Sequence, residues 1–312
     1  AYINALLAST PPKTAPAGRV VLELERLGAK IDENPVLLAT RALIEQRSDK
    51  TARAQGFLTR AYEQALGNPN LVMQWFRDVR RVYEHADTGE GIRYILALRD
   101  GMPEGTEQRD WLTYGAALLR IQDEIEIDEA ERDIETIKAG SSSEIIRRLS
   151  HRLLGSGRYS REAFEGAAGA WREGIAAFPD DWEMHNNLAY CVGIDLGRPE
   201  DAVPLARQAT VLAEHRADVH DTLGSLLLKT GALDEARDAL LKADERVRTE
   251  RERVNVLLNL SRLSLAQNKI DEAVRFWTEA ETAVYTLPSI REVVQDDLDQ
   301  VKDQIRSARG LD

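Results

Sequence analysis

The side chains able to do chemistry are few. The 312-residue chain holds five histidines, at positions 85, 151, 185, 215 and 220, and one cysteine, Cys191. No HExxH is present, and a single cysteine excludes both CxxC and an internal disulfide. His215 and His220, with Asp221 beside them, come nearest to a metal set. Their five-residue separation straddles a break between helices and shares no helical face, so they read as ordinary surface histidines. Cys191 lies in the apolar run LAYCVGI and reads as a buried, inert thiol. Gly155-Ser156-Gly157 and Gly89-Glu90-Gly91 have a faint look of phosphate loops, but neither follows a strand nor completes GxGxxG. Both are read as turns between helices. With no GxSxG and no Ser/His/Asp constellation, the residues call for no metal, no cofactor and no enzyme.

Charge narrows the partners. The chain has 41 basic and 53 acidic residues, a net charge of −12, which disfavours nucleic acid and anionic membrane. No apolar run approaches the ~20 residues of a membrane span. Two clusters stand out. Asp123 to Glu135 carries eight carboxylates in thirteen residues and reads as a solvated face near a helix start; the alternative is a site for a basic peptide or cation. Arg147, Arg148, His151 and Arg152, followed by Arg158 and Arg161, either pair with that acidic helix or form an anion-binding strip. The chain opens at Ala1 on AYINALLAS, which reads as the end of a helix from a longer protein. A soluble domain, cytoplasmic or periplasmic and bacterial in character, is the expectation.

The elements that must position these side chains are helices. Apolar residues recur at three- and four-residue spacing, and sustained alternation is absent. Breaks at Gly67-Asn68-Pro69, Gly101-Met102-Pro103, Gly140-Ser141, Phe178-Pro179-Asp180 and Leu287-Pro288 separate helices of about 12 to 16 residues. Ser9 to Gly18, with its prolines, reads as a linker that excludes regular helix. Aligned against itself, the chain shows a small residue early in every second helix, at Ala54, Gly91, Ala130, Ala167, Ala202, Ala236 and Ala273. The first four are followed four residues on by Leu58, Ile95, Ile134 and Trp171. Seven helix pairs result, spaced 34 to 39 residues apart.

The unit Ala217 to Glu250, with Leu223-Gly224, Gly231, Asp234-Glu235-Ala236, Leu240 and Ala243, resembles a tetratricopeptide repeat. Trp111, Tyr114-Gly115 and Leu118 match the first-helix pattern of an earlier copy, and Trp171 with Phe178-Pro179 the end of another. The resemblance spans residues 34 to 286. It implies an all-α, right-handed α-solenoid of about seven antiparallel helix pairs. The expected organisation is a helical remnant and linker over 1–33, degenerate pairs over 34–140, clearer repeats over 141–286 and a capping helix over 287–312. One hairpin cannot bury both its faces, so each stacks on the next. Helices 8–10 Å apart need small side chains at closest approach, which places Gly224 under the second helix with Ala236 opposite.

The resemblance also implies a concave surface lined by the first helices, where this family binds partners. In that register the candidate residues are Arg147, His151, Asn186, Tyr190, Asp221 and Ser225. Lys229, Asn255, Asn259 and Arg262 complete the set. The slots that in some repeats clamp a terminal carboxylate hold Asn186, Asp221 and Leu258 without the lysine, and Asp221 would repel a carboxylate. The expected function is a non-catalytic protein-interaction scaffold gripping an extended peptide or partner helix through amide hydrogen bonds. The alternatives are a regulatory or substrate-recruiting domain of a larger enzyme or envelope protein, and a homo-oligomerisation module.

Overall fold

Helix starts are written into the chain as caps. Asn34 and Asn68 each stand before a proline, and each side chain accepts from two backbone N–H groups of the helix it opens, at 3.0–3.3 Å. Thr106 and Asp181 cap two more, and Thr249 with Glu252 forms a reciprocal capping box. Helix stops use left-handed glycines at Gly67, Gly197 and Gly231, where a Cβ would be strained.

The computed structural model describes residues 14–26, 33–84, 88–285 and 288–310. Within them lie sixteen α-helices and no strand. They are α1 (Thr14–Arg26), α2 (Pro35–Gln46), α3 (Thr51–Ala65), α4 (Pro69–Tyr83), α5 (Thr88–Asp100), α6 (Glu107–Gln122), α7 (Ile127–Gly140) and α8 (Glu144–Tyr159). There follow α9 (Phe164–Ala177), α10 (Trp182–Tyr190), α11 (Pro199–Leu212), α12 (Ala217–Lys229), α13 (Leu233–Asp244), α14 (Glu250–Ala266), α15 (Ile270–Tyr285) and α16 (Pro288–Ala308). A π turn, Cys191–Asp195, extends α10. The fold is an all-α helical repeat, in which α2 pairs with α3, α4 with α5, α6 with α7, α10 with α11, α12 with α13 and α14 with α15. The helical remnant expected at Ala1–Ser9, and His85, fall outside the described residues.

The chain forms two compact units that divide at Leu153/Leu154, within α8. In the first, the core is aromatic. Tyr62, Trp75, Phe76, Tyr83, Tyr94, Trp111 and Tyr114 are all buried, and the Trp75 indole N–H donates to the Leu58 carbonyl at 2.8 Å. Gly115 lies against the Phe76 ring, leaving no room for a Cβ. In the second unit the core is alanine and leucine. Ala167, Ala202, Ala236 and Ala273 are wholly buried. A Cβ on Gly224 would stand 2.6 Å from the Leu240 side chain and 3.4 Å from the Ala236 carbonyl oxygen. The expected contact is present, and Leu240, one turn beyond Ala236, fills the space that Gly224 leaves.

Two sequence expectations give way. Gly155-Ser156-Gly157 and Gly89-Glu90-Gly91 are not turns; they lie inside α8 and at the start of α5. Gly155 receives the Trp171 indole, and Gly91 faces the Tyr83 ring, so both glycines serve packing. The stretch 14–18 is helical rather than linker. Pro16 sits in the first turn of α1, where a missing N–H breaks no intrahelical bond.

Candidate partner-binding groove

In the second unit the first helices α10, α12 and α14, followed by α16, wall a cavity of about 520 Å³. Tyr190 and Ile194 come from α10 and its π turn, and Asp221, Ser225, Leu228 and Lys229 from α12. Arg251, Asn255, Leu258, Asn259 and Arg262 come from α14. The spacings 221/225/229 and 251/255/259/262 are single helical turns, so each helix offers one polar stripe to the cavity.

A chain of hydrogen bonds crosses the groove floor. The Asn259 side-chain amide donates to Asp221 Oδ1 at 2.8 Å, and its oxygen accepts from Arg262 Nη1 at 3.1 Å. Arg262 Nη2 reaches α16, at Asp297 Oδ1 (2.5 Å) and Gln300 Oε1 (3.1 Å). Burial pushes the Asp221 carboxyl up to about 6, against the pull of the Asn259 hydrogen bond and of Arg262. Burial also raises the Tyr190 phenol, helped by the carboxylates of Asp195, Asp297 and Asp221. Tyr190 is nevertheless 41% exposed, a large amphipathic ring open to the cavity.

Seven of the ten residues expected from sequence thus line one cavity: Tyr190, Asp221, Ser225, Lys229, Asn255, Asn259 and Arg262. The other three do not. Arg147 and His151 lie in the first unit, and His151 is buried. Asn186 is also buried. The sequence reading missed the contribution of α16, whose Val293, Val294, Asp297, Gln300 and Gln304 form a wall. Its apolar stripe Val294, Leu298, Val301 and Ile305 is buried, as a cap requires. The polar stripe beside it, Asp297, Gln300 and Gln304, was the available signal.

Two of the histidines hold loops in place. His185 Nε2 donates to the Pro179 carbonyl at 3.1 Å and His220 Nε2 to the Glu214 carbonyl at 2.9 Å. Each ring tethers the loop six residues upstream. Burial lowers the His220 pKa, keeping the ring neutral, and no cluster of metal-binding side chains occurs among the described residues. Cys191 is buried, and burial raises its thiol to about 11, which makes it a poor nucleophile. Five of the eight carboxylates in the acidic stretch are paired: Asp123 with Arg80, Glu126 and Asp133 with Arg120, Glu129 with Arg132, and Glu135 with Lys138, all at 2.6–3.0 Å. In the neighbouring basic strip Arg148 pairs with Glu144 of its own helix. No described helix is long and apolar enough to cross a membrane.

Repeated helix pairs with a small buried slot in each second helix define the tetratricopeptide-repeat fold. Among solved structures, yeast Tom70 matches 96% of this chain at 16% identity and a TM-score of 0.57. The match covers 61% of Tom70, so the chain spans about three fifths of that protein. Pseudomonas aeruginosa PilF matches 78% of this chain and 98% of its own at 14% identity, TM-score 0.48. A tetratricopeptide repeat protein from Parabacteroides merdae matches 85% and 98% at 13% identity, TM-score 0.49. No family model matches the sequence, and no curated protein matches it. The likeness is one of fold.

Proposed function

We propose that the chain is a non-catalytic interaction scaffold whose partner, an extended peptide or a helix, lies along the groove of α10, α12, α14 and α16. The observation that carries this reading is the convergence of seven polar and aromatic side chains from successive first helices on one cavity. An exposed tyrosine, two asparagines and a serine supply a ring to pack on and hydrogen-bonding groups that suit a peptide backbone. Exposed Val293 adds an apolar contact at the α16 wall. None of these groups is arranged as a nucleophile with a base, which supports binding rather than turnover.

The test is affinity capture from native extract with Tyr190→Ala/Asn255→Ala. Both side chains are exposed, so circular dichroism and melting should match the wild type while capture falls at least tenfold. An Arg147→Glu control should capture normally. Undiminished capture by the double variant sinks the groove.

A further inference from the structure

We infer that the groove recognises a cationic group of its partner, a lysine or arginine side chain, and that Asp221 is the residue that receives it. This rests on the groove reading above and adds the chemistry of the ligand.

The groove holds an acid fixed in place without a counter-charge. Asp221 is half-buried in the middle of α12, facing the cavity. One carboxylate oxygen accepts from Asn259, and among the described residues no ion pair reaches Asp221. The cation nearest in charge effect is Arg262, but its guanidinium is engaged by Asp297, Gln300 and the Asn259 oxygen. That last contact orients the Asn259 amide, so its N–H group faces Asp221. The relay therefore holds the carboxylate still without neutralising it.

The remaining cations of the cavity are out of reach along their helices. Lys229 lies eight residues beyond Asp221 on α12, about 12 Å along the axis. Arg251 lies eight residues before Asn259 on α14, the same two turns away. A half-buried carboxylate lacking a counter-charge is unfavourable, and the raised proton affinity of Asp221 reports that cost. A ligand ammonium or guanidinium would supply the missing charge. Tyr190 in the same cavity offers a π face to such a cation. A ligand carboxylate placed at Asp221 would meet a like charge, with Lys229 and Arg251 each about two helical turns away.

The experiment uses the full chain and four random decapeptide pools, each amidated and fixed at one central position as Lys, Arg, acetyl-lysine or Glu. Binding is read by fluorescence anisotropy and by the Asn259 side-chain amide resonance. The Lys and Arg pools should bind roughly tenfold tighter than the neutral and acidic pools, the scale of one partly desolvated charge pair. They should also shift the Asn259 amide. Asp221→Asn, which keeps the shape and the Asn259 hydrogen bond, should erase that preference while leaving the weaker, charge-independent binding. Groove binding with no preference for Lys or Arg, or a preference that survives Asp221→Asn, overturns the inference and leaves the groove reading standing. If no pool perturbs any groove resonance, both fall.

Discussion

The two units build the same helix pair with opposite materials. In the first, seven buried aromatic rings fill the spaces between helices, and glycines make way for them, Gly115 for Phe76 and Gly91 for Tyr83. In the second, alanines let helix backbones approach, and leucines such as Leu240 fill what remains; Trp171 and Phe178 are its buried rings. The repeat slots are 37 or 39 residues apart through Ala167 and 34 to 37 beyond it. Rings add bulk between helices, whereas alanine slots let the helices pack on a shorter repeat. The unit with the shorter spacing is the one whose first helices present regular polar stripes to a cavity.

The contrast can be tested by its energetics. The largest effect should come from Trp75→Ala, because it empties a ring volume and removes the indole hydrogen bond to the Leu58 carbonyl. A loss of about 3–5 kcal/mol is expected in denaturant melts. Ala236→Leu should cost about 1–3 kcal/mol by the reverse route, overpacking a slot with no free volume. If Ala236→Leu is silent, or if Trp75→Ala costs less than it, the two-material description fails.

A subtler effect belongs to Asp221. Its folded carboxyl titrates near 6 against an ordinary 3.8, so the folded state holds that proton more tightly than the unfolded chain. The sign follows: protonation contributes stability that is present below pH 4 and lost as pH rises through 6. The groups acting on it are Asp218 on its own helix and Asn259 and Arg262 on α14, and Asp221 in turn acts on the Tyr190 phenol of α10. Asp221→Asn should therefore raise stability at pH 7 by about 1–2 kcal/mol, allowing for screening through the open groove. The gain should vanish at pH 4. A gain that is independent of pH would place the effect elsewhere than in the charge. A gain at pH 7 together with weaker binding would mark Asp221 as kept for recognition at the expense of stability.

Much of this was legible because small residues and caps are local signals. Ala202, Ala236 and Ala273, the left-handed Gly231 and the Asn-Pro helix starts could be read from neighbouring residues alone, and the pairs followed. Seven groove residues followed from the register of α10, α12 and α14. His151 was placed on the groove by a shift of one residue. It stands 34 residues before His185, which stands 35 before His220, and all three occupy a buried position. Gly155 looked like a turn because the ring that fills its missing Cβ, Trp171, lies sixteen residues away. The α16 wall was hidden for a different reason. A capping helix and a groove-lining helix share the same buried apolar stripe, and only packing decides what its polar flank faces.

The central claim is that partners lie along the first-helix groove of the second unit. The most direct test places a photo-crosslinking amino acid at Ser225, inside the cavity, and separately at Val211, an exposed residue of the second helix α11. After irradiation in native extract, discrete adducts are expected from the Ser225 derivative and none from the Val211 derivative. Adducts from Val211 with none from Ser225 would contradict the account and move the binding face to the second helices.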